Sequence, residues 1–277
     1  MTLTNENYYS REAAIEYMSA SQYKSFVRCE AAALAEIRGE YTSPTSSAML
    51  VGGYVDAWFS GELPLFQAQH PEIFKRDGTL KAEYISAQNI IARLESDELF
   101  SMLLSGKKQE IVTGKIAGVP FRGKLDVLLD GETCHRITER FPETENVFGD
   151  DPAGAIVDMK IMRDMESVWD QETRTRVPFF EAYGYHYQGA IYKELVGGDL
   201  PFVLAVGTKE TEPDLEAISL EGDGYLRHTL YEIEDSVPRY QAIKRGEVEP
   251  HRCGKCAYCR ATKNLTRIKD RTEFSLE

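Results

Sequence analysis

Apolar residues recur along the first part of the chain at spacings of three and four, the period of a helix with one buried face. Ser19-Ala20-Ser21 supplies a cap before Gln22. The stripe Phe26, Ala33, Leu34 and Ile37 then predicts one helix running through an alanine-rich segment to Gly39, with Cys29 near the stripe. A second helix is predicted from about Ser47 through Phe59, holding Gly52, Gly53 and Asp56, and residues 80–105 also read as helical. From Gln109 the period changes: Ile111, Gly114 and Ile116 lead to Gly118-Val119-Pro120, and Phe121 to Leu129 completes a hairpin. A polar, acidic excursion from Cys134 to Gly154 precedes a strand, Ala155 to Lys160. A helix at Phe179 to Leu195, strands at Phe202 to Thr208 and Leu215 to Leu220, and a long amphipathic helix from Tyr225 to Arg245 follow, before a cysteine-rich tail. Helices first, then a hairpin-led sheet with a crossover helix, predict an α/β fold with a mixed central β-sheet flanked by helices.

Charges interrupt two of the apolar runs. Asp126 lies inside Gly123-Lys124-Leu125-Asp126-Val127-Leu128-Leu129, and Asp158 and Lys160 lie inside Ile156-Val157-Asp158-Met159-Lys160. Burying a carboxylate or an ammonium in a strand is costly unless it is paired or bound to a metal. Residues two apart on a strand share a face, so Asp158 and Lys160 point the same way. If Asp126 occupies the neighbouring strand, two carboxylates and an ammonium meet.

That set suits phosphodiester hydrolysis, which needs a nucleophilic water and neutralisation of charge on phosphorus. Magnesium or manganese held by carboxylates supplies much of both. Asp126 and Asp158 fit as ligands, the Met159 carbonyl as a third, and Lys160 as the group that orients water or stabilises developing charge. The other reading is a structural salt bridge between Lys160 and one aspartate. Gln188 and Tyr192, four apart on the following helix, share a face from which an amide and a phenol can reach a phosphate or the metal-bound water. They can equally be packing groups beside Tyr183, Tyr185 and Tyr187.

With 277 residues, 42% of them hydrophobic and 28% charged, the chain reads as an ordinary soluble globular protein with no low-complexity tract. Its first residues lack the basic and apolar regions of a signal peptide, and no segment approaches a bilayer-spanning length, so the expected location is cytoplasmic, away from any membrane. Thiols stay reduced there. Five cysteines, three of them at Cys253, Cys256 and Cys259, therefore point to a metal or cluster rather than to disulfides. Three thiolates at this spacing can wrap one soft centre, zinc or an iron-sulfur cluster. Cys29 is either a fourth ligand or a small buried hydrophobe, and Cys134 has no evident partner. The net charge of −13 argues against nonspecific nucleic-acid affinity, although the stretch from Arg252 to Arg271 is basic. That tail reads either as a solvated face or as a DNA track.

Taken in order, Gly52-Gly53-Tyr54-Val55-Asp56, Gly123-Lys124-Leu125-Asp126, Asp158-Met159-Lys160 and Gln188-Gly189-Ala190-Ile191-Tyr192 resemble the PD-(D/E)XK nuclease superfamily. The likeness is to its RecB and RecE branch, including phage-encoded exonuclease-like proteins, and spans about Tyr17 to Lys263. The resemblance implies a restriction-endonuclease-like core and a metal-dependent DNA nuclease, an exonuclease acting at DNA ends in recombination or repair. It also implies metal ligation by Asp126 and Asp158, a catalytic role for Lys160, and active-site or DNA-contacting roles for Gln188 and Tyr192. Asp56 stands where many RecB-like nucleases carry a metal-binding histidine. An aspartate there can ligate a hard divalent ion, or serve as a surface or capping residue.

Several RecB-like nucleases hold a four-iron, four-sulfur cluster with one cysteine before the core and three after it. Cys29 with Cys253, Cys256 and Cys259 reproduces that layout. The gap before Cys259 is shorter than in the family pattern, which keeps zinc (Zn2+) open, with His251 as a substitute ligand. Either centre would staple the first helix to the tail. The whole chain, 1–277, is expected to be a single nuclease domain, with a helical part at 17–105, the core at 106–220, and a final helix and cysteine tail at 221–277. Without a Walker-type glycine-lysine motif, any ATPase must come from elsewhere. The implied partners are DNA and a single-strand annealing or helicase protein, in the host cytoplasm if the chain is phage-encoded. The alternatives are a catalytically silent nuclease-like module that binds DNA or protein, and a zinc-stapled enzyme acting on another phosphate ester.

Overall fold

A computed structural model describes residues 1–44, 46–171, 173–268 and 270–273. Arg11–Glu16 (α1) and the short strand Met18–Ser19 (β1) open the chain, and the Ser19 hydroxyl caps Ala20–Arg28 (α2) by accepting from the Gln22 N–H. The single helix predicted to Gly39 is in fact two. Cys29 adopts extended backbone, φ −168° and ψ 108°, ending α2 and starting Glu30–Arg38 (α3). The cause is tertiary. Ala31 donates its N–H to the His251 carbonyl, and the Glu30 carboxylate accepts from the His251 N–H and from both arms of the Arg239 guanidinium. These contacts override the helix propensity of the alanines.

Ser47–Phe59 (α4) follows its prediction, and Leu63–Gln69 (α5) comes after it. The stretch 80–105 divides into Ala82–Glu95 (α6) and Glu98–Leu103 (α7), because Asp97 caps the second helix through the Phe100 N–H. Lys107–Ile116 (β2) and Val119–Asp130 (β3) form the expected hairpin. The acidic excursion is not irregular: it carries Gly131–Arg140 (α8), which buries Thr133, Cys134 and Ile137, and Glu145–Phe148 (α9). After Gly154–Met162 (β4) a small hairpin, Val168–Asp170 (β5) with Thr175–Val177 (β6), was not foreseen. The helix predicted at Phe179 to Leu195 is also split, into Phe179–Ala182 (α10) and Tyr185–Val196 (α11), parted by Gly184 at φ +66°. Phe202–Thr208 (β7), Leu215–Ser219 (β8), Tyr225–Arg245 (α12) and Ala257–Ala261 (α13) complete the order.

The main sheet runs β1-β3-β4-β7-β8, with β2 paired to β3. Its pairings are mixed: β3 with β4 and β7 with β8 are antiparallel, whereas β4 with β7 is parallel. A parallel pair needs a crossover, and α10 and α11 lie on it. Both faces of the sheet are covered. Phe121, Leu125, Ile156, Leu204 and Val206 join one core with residues of α2, α11 and α12, while Val127, Val157, Met159, Val203 and Ala205 join another with residues of α4, α6, α7 and α8. This double coverage is why β7 reads as a continuous apolar run and β4 as one broken only by Asp158 and Lys160. Among the described residues no helix is long and apolar enough to cross a membrane.

Candidate active site

Inside β4, Ile156 faces one core and Val157 the other, so strict alternation sends Asp158 and Lys160 to the α11 side of the sheet. There they meet. Lys160 Nζ lies 2.5 Å from Asp158 Oδ2 and 3.8 Å from Asp126 Oδ2. The Asp158 side chain is wholly buried, while those of Lys160 and Asp126 are 19% and 21% exposed. Burial opposes the charge on Lys160, but the neighbouring carboxylates, Asp158 and then Asp126, outweigh it and raise the pKa above the ordinary lysine value.

Asp126 reaches this point through two irregularities. The β2–β3 ladder is continuous on either side of Gln109 and Asp126 but forms no pair between them, and Gln109 takes φ +56°, unusual for a residue other than glycine. Across this break the strand changes face: Leu125 belongs to one core, Val127 and Leu129 to the other. Such distortions re-aim side chains. In addition, the β3–β4 ladder ends at Val127 and Val157, and past it the Met159 N–H donates not to a strand carbonyl but to Asp126 Oδ2, at 3.0 Å. The N–H and C=O of one strand residue point to the same side, so the Met159 carbonyl faces the same gap, where Lys160 Nζ donates to it at 3.2 Å. Burial first, and Asp158 next, push the Asp126 carboxyl well above the usual carboxylate range, against the pull of Lys160.

From α11, Gln188 Nε2 donates to Asp158 Oδ1 at 2.7 Å and to the Tyr192 hydroxyl at 3.2 Å, and that hydroxyl donates to the Lys124 carbonyl. Both predicted helix residues therefore join the strands of the site. Gly123 makes room for this contact, since a Cβ there would come within 3.0 Å of the Tyr192 ring and of Val112 Cγ2. Asp56, on α4, lines a narrow crevice with Lys108, Gln109, Asp126 and Met159, with about 10 Å3 of room for a water-sized particle. Its carboxyl is raised by burial, with Lys160 pulling it down and Asp158 pushing it up. Asp56, Asp126 and Asp158 do not close into one compact donor group; among the described residues the four cysteines alone do so.

Three site residues were not found from the sequence. Lys24, on α2, donates to Gln188 Oε1 at 3.4 Å, and Gly184 is needed beside it, because a Cβ at Gly184 would come 2.8 Å from Lys24 Cδ. Tyr185 places its ring 5.4 Å from Lys24 Nζ and 5.5 Å from Lys160 Nζ, within cation–π reach of both. Tyr9 is 77% exposed, and its ring centre lies 5.7 Å from Lys124 Nζ. Spacing carries no signal for Lys24 and Tyr9, which arrive from the N-terminal segment, whereas Tyr185 lies three residues before Gln188 on α11, a step that puts the two on one face.

The cysteines form a second centre. Cys29, Cys253, Cys256 and Cys259 bring their four sulfurs within 4.8 Å of one another. Cys29 therefore leaves the apolar stripe predicted for it and packs with Ala31 and Cys259 instead. His251 is exposed and outside this donor group, its backbone taken up by Glu30 and Ala31. Cys134 is buried elsewhere, which pushes its thiol up to about 11.

A mixed sheet with two aspartates and a lysine at the point where β3 and β4 separate defines a restriction-endonuclease-like, PDDEXK-type nuclease domain. Residues 19–135 and 150–262 match the profile of the family described as "PDDEXK-like domain of unknown function (DUF3799)", and the chain belongs to that family. It is also similar to a crystal structure from Eubacterium rectale described as a "Putative exonuclease". The two are 38% identical with a TM-score of 0.86, over 100% of this chain and 99% of the other. Comparison with curated proteins gives no match.

Proposed function

We propose that this chain is a DNA exonuclease dependent on magnesium or manganese, hydrolysing phosphodiester bonds at DNA ends in recombination or repair. One observation carries the reading: Asp126, Asp158 and Lys160 converge at the gap where β3 and β4 part, with the Met159 carbonyl facing the same gap. The donors are hard oxygens, and Asp158 Oδ2 is buried with no hydrogen-bond donor assigned to it besides its ion pair with Lys160, a set suited to a divalent cation. Asp126, Asp158 and the Met159 carbonyl would hold the ion, with Asp56 at the edge. When bound, such an ion polarises the phosphodiester and activates water.

The protein side chains have separable tasks. Lys160, set between the Asp158 carboxylate and the Met159 carbonyl, would be the group that holds the attacking water or the developing negative charge. Gln188 fixes the direction of Asp158, and Tyr192 fixes Gln188 against β3. Lys24, bonded to Gln188, and Tyr9, beside Lys124, add to the site a cation and an exposed ring of the kinds that bind phosphate and base. The chain acts on this view as one nuclease unit, its companion a single-strand annealing or helicase protein that supplies or uses the processed end.

End-labelled linear DNA and a covalently closed circle, each incubated with magnesium or manganese, test the proposal. The linear substrate is consumed and the circle spared, and Asp158→Ala and Lys160→Ala each abolish the digestion. Equal digestion by wild type and both variants would sink it. Metal-loaded wild type that binds DNA without cutting it supports the silent module instead.

A further inference from the structure

The family resemblance implies a four-iron, four-sulfur cluster, but the spacing of the four cysteines does not suit one. Cys29 Sγ lies 3.5 Å from Cys259 Sγ, Cys253 Sγ lies 4.0 Å from it, and all four sulfurs fall within 4.8 Å of one another. Four thiolates around one tetrahedral ion, with metal–sulfur bonds of about 2.3 Å, stand about 3.8 Å apart. A cubane puts each cysteine on a different iron, so its cysteine sulfurs stand roughly 6 Å apart. The two closest distances, 3.5 and 4.0 Å, bracket the first value, and all fall short of the second.

Local backbone builds the same tight geometry. Gly254, at φ +74°, turns the chain immediately after Cys253. The turn lets the Cys256 N–H donate to Cys253 Sγ, and the start of α13 lets the Cys259 N–H donate to Cys256 Sγ, both at 3.4 Å. Each bond stabilises a thiolate and holds its sulfur against the next. Cys29 enters from the other side because the break between α2 and α3 turns it there. Four thiolates on a divalent ion leave two negative charges, and Arg252 and Lys255 in the loop and Arg260 on α13 stand close in sequence to offset them. Arg252 also donates to the Cys259 carbonyl at 3.3 Å.

We infer that Cys29, Cys253, Cys256 and Cys259 hold one tetrahedral zinc-type ion in place of a four-iron cluster, tying the α2–α3 junction to the tail. The inference is independent of DNA cleavage. The full chain, expressed with both iron and zinc supplied and purified without oxygen, should contain close to one zinc per chain, with neither stoichiometric iron nor acid-labile sulfide. Exchange with cobalt should give the intense visible bands of tetrahedral thiolate coordination. Cys253→Ser and Cys29→Ser should each lower metal retention against a chelator by at least tenfold, whereas Cys134→Ser should leave it unchanged. Four irons with four sulfides per chain would overturn the inference, and so would one iron without sulfide. Metal-free protein with all five thiols titratable would overturn it as well.

Discussion

Lys160 Nζ approaches Asp158 Oδ2 to 2.5 Å, and Asp158 has no solvent exposure to fall back on. Breaking a buried ion pair from one side strands the other charge, at a cost of about 3–5 kcal/mol. Lys160→Met should therefore lose both cleavage and stability, while Asp158→Asn with Lys160→Met should recover most of the stability and none of the cleavage. Urea unfolding of the single and double variants measures the first effect and end-labelled DNA digestion the second. Wild-type stability in Lys160→Met would mean that the pair does not hold β4 in place.

Asp126 presents the opposite case. Burial first, and then the charge of Asp158, raise its carboxyl, while Lys160 pulls the other way and Asp56 adds a smaller push. A carboxyl whose pKa rises on folding weakens the native state at neutral pH, so removing its charge should help. Asp126→Asn keeps the shape and an acceptor oxygen for the Met159 N–H. We expect it to gain on the order of 1 kcal/mol in metal-free buffer while losing activity, a pairing of gain and loss that a merely structural aspartate would not show. Thermal unfolding at pH 7 in the presence of a chelator, set beside a digestion assay, reads both quantities.

The bond from Gln188 to Asp158 predicts a different split. Gln188→Leu leaves Asp158 paired with Lys160 but no longer aimed, so the digestion rate should fall by roughly 10- to 100-fold, as for other groups that orient a metal ligand. The metal concentration giving half-maximal activity should rise in parallel. Tyr192→Phe loses only the hydroxyl's contacts to Gln188 and the Lys124 carbonyl, at about 1 kcal/mol of stability, with a smaller loss of rate. If Gln188→Leu merely unfolds more readily and cuts at the wild-type rate, Gln188 is a packing residue.

The elements and the charged strand residues were legible because they depend on short-range patterns. Alternation in β4 put Asp158 and Lys160 on one face, and a four-residue step put Gln188 and Tyr192 on one face of α11. What depended on distant contacts was not legible. The break at Cys29 exists because Glu30 and Ala31 bond to the segment at His251, more than two hundred residues on. The turn of Asp126 into the gap depends on the distortion at Gln109, which no turn residue announces. Lys24 is, along the chain, one more polar position on α2, and only the packing of α11 beside it, with Gly184 and Gln188 in contact, makes it part of the site.

That lysine carries the last prediction. Lys24 Nζ sits between Gln188 and the Tyr185 ring, and burial, reinforced by the like charge of Lys160, brings its pKa from an ordinary 10.5 down to about 8. Between these values the unfolded chain binds a proton that the folded chain has released, so stability rises with pH across the window. Below about pH 8 both states carry the charge, and the native state bears the full penalty of holding it. Lys24→Met should thus stabilise the protein at pH 7, by on the order of 1–2 kcal/mol, and the advantage should shrink as pH rises towards 10.5. Denaturant midpoints for wild type and variant at pH 7, 9 and 10 follow the difference directly. An advantage that stays constant across the three would assign it to packing around Tyr185, and a loss at pH 7 would mean that the Lys24 charge stabilises the native state through Asp158 after all.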